Sequence, residues 1–117
     1  MKNKVLWSPS EESIKSTNLF NFIQFISNDK FFSIDTTLDS QSQYKQLYNW
    51  SINSYKEFWS SFLSFSNIKY SGNINSICDN PNKMPGAKWF DGIKLNFAEN
   101  LLSFNNDKIA IHFYLKV

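Results

Sequence analysis

The stretch from Met84 to Leu102 constrains the fold of this chain more than any other part of its sequence. It holds two of the three glycines, one of the three prolines and an adjacent Trp-Phe pair. Pro85-Gly86 and Asp91-Gly92 are turn signals, because proline presets φ and glycine tolerates positive φ. We therefore predict that the pair Trp89-Phe90 is a buried aromatic plug held between two tight bends.

A long helix is predicted near the N-terminus. Ser8, Pro9 and Glu11 form a capping box, with proline at the first helical position where its missing N–H costs nothing. This helix is expected to reach Ile26 or Ser27, and Phe20 and Phe25 are expected to make contacts outside its main apolar stripe. The stripe itself, with apolar residues at i, i+3, i+4 and i+7, consists of Leu19, Phe22, Ile23 and Ile26.

Three more helices are predicted from capping boxes in which Ser or Asn is followed three residues later by Glu or Gln. The first two are separated by a break, because a fresh capping box interrupts the apolar periodicity. Tyr44, Leu47 and Tyr48 are expected to form the inward face of the first of these helices. The first helix has the capping box Ser40 with Gln43 and is predicted to end at a break at Trp50 to Asn53. The second has the box Ser54 with Glu57 and is predicted from Tyr55 to Phe65. The third has the box Asn96 with Glu99 and is predicted to run through Leu102.

The remaining segments are predicted to be a loop and a strand. Ser66 to Lys83 is rich in Asn and Ser, which favours a long loop with a short extended piece at Ile68 to Tyr70. Ile109 to Leu115 is apolar and partly β-branched, which predicts a strand that needs Ile93 to Leu95 or the Ile68 piece as its partner. The predicted fold class is mainly α with a short C-terminal strand, incomplete as a domain.

Composition argues against several classes of function. The chain has 12 lysines and no arginine against 10 acidic residues, so its net charge is only +2, which gives a nucleic-acid partner little support. The single cysteine, Cys78, has no internal disulfide partner. No stretch approaches the roughly 18 consecutive apolar residues that cross a bilayer, and no apolar leader precedes Ser8. We therefore expect a cytosolic protein with no membrane partner.

A search for catalytic or binding groups assigns no catalytic, cofactor-binding or metal-binding residue. His112, the one histidine, lies on the predicted strand and is interpreted as structural. Cys78 has no neighbouring ligand for a zinc site and is interpreted as a small loop residue. The scattered carboxylates are interpreted as solvated surface. Only three glycines are present, without the spacing of a phosphate-binding loop.

The same central stretch carries a resemblance to a known family. Its Pro-Gly-Ala-x-Trp-Phe turn and the following Leu-Asn-x-Ala-Glu-Asn-Leu-Leu run resemble acetoacetyl-CoA synthetases, which are acetoacetate–CoA ligases of the adenylate-forming superfamily. In that family this segment leads from N-terminal helices into the large adenylate-forming domain. Two further segments resemble the same family and occur in the family's order. They are the run from Trp7 to Ser10 and the run from Leu47 to Ser51, which is followed by Phe58-Trp59.

The resemblance implies an N-terminal region that has a structural role and is not catalytic on its own. It implies that residues 1–104 form the helical region and that residues 105–117 form the first strand of the main domain. The rest of that domain is not expected in this chain, which would then be a truncated product or one part of a split protein. ATP, magnesium and CoA belong to the full-length family, whose phosphate loop and C-terminal lysine lie downstream. The implied partner is the remainder of the ligase in trans. The alternative is an autonomous helical protein-interaction module.

Overall fold

The described part of the chain is mainly helical, with one small sheet. The computed structural model describes residues 6–28, 32–103, 106, 107, 109, 111 and 114. Its elements are α1 (Glu11–Lys15), α2 (Asn18–Ser27), α3 (Ser40–Asn53), α4 (Tyr55–Ser66), β1 (Tyr70–Cys78), β2 (Trp89–Leu95) and α5 (Phe97–Leu101). β1 and β2 form an antiparallel two-stranded sheet. The predicted mainly α fold class is confirmed.

The single N-terminal helix predicted from Ser8 is wrong, because two helices replace it. Ser10 caps α1, and its side-chain oxygen accepts a hydrogen bond from the Ser13 N–H. Thr17 separates α1 from α2: its hydroxyl donates to a carbonyl of α1 and accepts from the Phe20 N–H. Thr17 thus satisfies a carbonyl at the end of α1 and an N–H at the start of α2, which hydrogen bonds within one continuous helix would otherwise have paired.

The predicted separation of the two central helices is confirmed, but the break predicted at Trp50 to Asn53 is wrong in position, because those residues are helical. The residue that caps α3 also differs from the prediction. α3 continues to Asn53, and Ser54 is the one residue between the helices, without a side-chain capping hydrogen bond. Asp39, not Ser40, caps α3, because its carboxylate accepts from the N–H groups of the first helical turn. The amide of Gln43 donates to the Leu38 carbonyl at 2.6 Å, so the predicted capping box does not form.

The core lies where α2 meets α3 and α4. Trp50 stacks on Phe32 with ring centroids 4.5 Å apart and meets the edge of Phe58 at 5.6 Å. Phe22 makes edge contacts with Phe58 and Phe62. Such aromatic pairs contribute beyond the apolar area they bury. The buried cluster comprises Phe22, Ile23, Ile26, Ile34, Leu47 and Trp50, with Phe32, Phe58 and Phe65 packed against it.

The predicted inward faces are only partly correct. Leu19, Tyr44 and Tyr48 were expected to be buried, but each is about half exposed. Trp50 belongs to the core, although the sequence places it at the predicted break. Phe25 is exposed on one side and packs on Phe65 at 5.6 Å, which confirms contacts outside the main stripe.

The long loop predicted from Ser66 to Lys83 is wrong, because half of it is strand β1. β1 pairs with β2 so that Tyr70 lies opposite Leu95 and Cys78 lies opposite Trp89. Most of β1 is exposed on both faces, so its sequence lacks the alternation of apolar and polar residues that marks a half-buried strand. Its strand state comes from the backbone hydrogen bonds that β2 supplies.

Asp91-Gly92, predicted as a tight bend, lies within β2. Gly92 has φ of +92° and Gly72, on β1, has φ of +89°. The register shifts between Gly72 and Ser76, so the extra backbone is absorbed as an irregularity in the ladder. Pro85-Gly86, by contrast, lies in the connection between the strands, which confirms a turn there.

Asp79 closes the connection between β1 and β2. Its Oδ1 accepts hydrogen bonds from the backbone N–H groups of Lys88, at 2.8 Å, and Asn80, at 2.6 Å. These hydrogen bonds, the one from Lys88 first, lower the pKa of Asp79 below its usual value. The carboxylate therefore joins the two ends of the loop while it is ionised.

Asp79 is expected to make this loop sensitive to acid. A carboxyl group whose pKa is lowered in the folded state stabilises the fold above its unfolded pKa, and that contribution is lost as the pH falls through the folded pKa. We expect the melting temperature to decline below about pH 4, with Asp79→Asn flattening part of the decline. Thermal melts of both proteins from about pH 2 to 6 measure this. Identical slopes for the two proteins would contradict the role of Asp79.

The strand predicted at Ile109 to Leu115 lies largely outside the described residues, as does His112. Ile109, Ile111 and Tyr114 are described, and each is exposed and outside any strand. The proposed division of the chain at residues 104 and 105 also stays a prediction. In the described ranges, none of the helices combines the length and apolar character needed to span a membrane.

Candidate interaction surface

Among the residues that the structure describes, no three His, Cys, Asp or Glu side chains are grouped so as to hold a metal ion. Three carboxylates have lowered pKa values because they accept hydrogen bonds in local turns and caps. These are Asp35 with Thr37, Asp39 with Ser42, and Asp79 with Lys88. Cys78, predicted to be a loop residue, is instead buried at the end of β1.

The three glycines lie in the hairpin and its connecting loop and do not form a phosphate-binding loop. Gly72 lies opposite Ile93 and beside Gly92 in the hairpin, and a Cβ on either glycine would collide with backbone of the other strand. Gly86 lies in the connecting loop beside Lys83. These glycines serve the hairpin, and they are too far apart in sequence to form one cradle of consecutive backbone N–H donors.

An aromatic cleft lies between α4 and β2. Trp59, Trp89 and Phe90 line it, and its volume is about 410 Å³. Trp89 meets Trp59 edge-on at 5.8 Å and Tyr55 at 6.2 Å. The ring of Trp89 therefore has aromatic neighbours on α4 but is not enclosed.

The buried plug predicted at Trp89-Phe90 is wrong for Trp89, which is 42% exposed, and Phe90 is half-buried. The reason is tertiary, because Trp89 packs on α4 alone and none of the described residues forms a second layer over its other side. Removing the ring of Trp89 is thus expected to cost less than the roughly 3–5 kcal/mol typical of a buried tryptophan.

A second groove, of about 430 Å³, lies between α2, α4 and β1. Phe25 and Ile77 contribute apolar walls, while Lys56 and Glu57 contribute opposite charges. A mixed lining of this kind indicates no single class of ligand.

α5 is anchored by two asparagines. Asn96 caps the helix by accepting a hydrogen bond from the Glu99 N–H. The amide of Asn100 accepts from the Lys69 N–H at 2.8 Å and donates to the Lys69 carbonyl at 2.9 Å. Asn100 therefore pairs with the backbone of the α4–β1 connection in the way that a neighbouring strand would.

Asn100→Ala is expected to release α5 from the hairpin. The substitution removes both hydrogen bonds to Lys69, for an expected cost of about 1–3 kcal/mol in the free energy of unfolding. Urea denaturation measures the change, and Asn49→Ala, at an exposed position on α3, is the matched control. Equal stability of the two variants would show that the pairing with Lys69 contributes nothing.

Comparisons with known proteins define the class of this chain. Residues 44–101 match the family model described as the acetyl-coenzyme A synthetase N-terminus. The fold is that of the corresponding part of an acetoacetyl-CoA synthetase from Streptomyces lividans, with a TM-score of 0.69 over 85% of this chain and 14% of that one. At 23% identity, that likeness shows the fold alone. The class is thus the N-terminal region of acyl-CoA synthetases.

Curated relatives narrow the class to one family. The chain is 35% identical to the acetoacetyl-CoA synthetase of Xenopus tropicalis and 32% identical to that of Mus musculus, in both cases over 96% of its length. It belongs to the acetoacetyl-CoA synthetase family. It spans only 16% of the length of these relatives.

The residues that carry the family resemblance hold the local structure together. Asn96 and Asn100, both in the Leu-Asn-x-Ala-Glu-Asn-Leu-Leu run, are the cap and the anchor of α5. The capping pattern predicted the role of Asn96. Nothing local in the sequence indicates the role of Asn100, because its partner Lys69 is 31 residues away.

Proposed function

We propose that this chain is the N-terminal region of an acetoacetate–CoA ligase and that its role there is structural. The observation that carries the proposal is the match to acetoacetyl-CoA synthetases along 96% of the chain, which covers only 16% of their length. In the full-length family, ATP and acetoacetate form an acyl-adenylate, and the acyl group is then transferred to CoA with release of AMP and diphosphate. ATP, magnesium and CoA would be bound by the main body of the ligase.

Two features of the described residues support a structural role. The carboxylates with lowered pKa values act in caps and turns, so none is poised as a general acid or base near neutral pH. Large apolar side chains on α4, β2 and α5 are partly or mostly exposed. Apolar surface of this extent is typical of a contact with further protein. We place this partnership in the cytoplasm, with no nucleic acid or membrane involved.

The isolated chain is expected to show no acetoacetate-dependent release of AMP or diphosphate. ATP is also expected to leave the melting temperature of the isolated chain unchanged. A ligand that binds the native state raises apparent stability, and we propose that this chain does not bind ATP. Turnover by the purified chain, or a saturable shift with ATP, would contradict the structural role.

A chimera tests the proposal positively. This chain replaces the matched segment of the Xenopus tropicalis enzyme, and the expected product is a soluble ligase that releases AMP in the presence of acetoacetate and CoA. The control is the same enzyme with the segment deleted, which is expected to be insoluble or inactive. An insoluble or inactive chimera would contradict the assignment as an N-terminal ligase region.

The second candidate is an autonomous helical interaction module. One observation favours it: α2, α3 and α4 enclose a core of their own, with Ile26 fully buried and Trp50 only 6% exposed. A monodisperse monomer with a sharp two-state transition and no binding of hydrophobic dyes, together with an inactive chimera, would favour the module. Dye binding or aggregation of the isolated chain, together with an active chimera, would favour the ligase region.

A further inference from the structure

We draw no further inference here: the strongest candidate, the aromatic cleft that Trp59, Trp89 and Phe90 line between α4 and β2, is an apolar surface for which nothing in the described part of the structure shows what covers it.

Discussion

Trp50→Ala is expected to destabilise this chain by about 3–5 kcal/mol, which is comparable with the whole stability of many small domains. Trp50 is 6% exposed, stacks on Phe32 and meets the edge of Phe58. Its removal leaves a cavity at the junction of α3 and α4 that the neighbouring rings fill only in part. The loss of helical circular dichroism on heating or in urea measures the effect.

Trp7→Ala is the matched control for Trp50→Ala. Trp7 is 79% exposed, so the same change in composition removes little buried surface and is expected to shift stability by less than about 0.5 kcal/mol. Equal melting temperatures of Trp50→Ala and Trp7→Ala would show that the aromatic cluster around Trp50 is not the core of the fold.

Gly92→Ala is expected to disrupt the β1–β2 hairpin. At φ of +92°, a side chain adds strain of about 1–2 kcal/mol, and the new Cβ would also collide with the Asn73 carbonyl oxygen and the Asn75 side chain. The total cost is expected to exceed about 2 kcal/mol. Because Trp89 lies on the same strand and packs on Tyr55 and Trp59, loss of that packing is expected to change the tryptophan fluorescence of the chain, to which Trp7, Trp50 and Trp59 also contribute.

Gly86→Ala separates backbone strain from steric collision. Gly86 also has positive φ, +109°, but a Cβ there meets only the flexible end of Lys83 at 3.4 Å or more. We expect this variant to show the strain of about 1–2 kcal/mol and to keep the hairpin. If Gly92→Ala is no more destabilising than Gly86→Ala, the close approach of the two strands at Gly92 does not matter to the fold.

Capping chemistry predicted where helices occur better than which residue begins them. Helices were predicted around α2, α3, α4 and α5, and all four are present. The first residue was misassigned where several capping residues adjoin, as with Asp39 and Ser40, because each has a side-chain oxygen able to accept from the first turn. Geometry chooses between them, and here the carboxylate of Asp39 takes the N–H groups of Gln41 and Ser42.

The candidate surface was predicted only in outline. The sequence predicted the helix that bears Trp59 and Phe62, and both side chains are partly exposed. The aromatic cleft was not expected, because it arises where β2 passes beside α4 and so depends on a strand pair that no local pattern indicates. The anchor of α5 was likewise missed, since Asn100 and Lys69 meet only in the folded chain.

The sequence by itself determined the helical segments and the family, because both depend on residues that are close together in the chain. Capping residues and apolar spacing indicate the helices, and the run from Met84 to Leu102 indicates the family. The tertiary structure alone decided that the polar stretch Tyr70–Cys78 is a strand and that Trp50 is buried while Trp89 is half exposed. The physical reason is that strand pairing and burial are properties of two partners. A residue's own neighbours in sequence do not reveal what lies across from it in the fold.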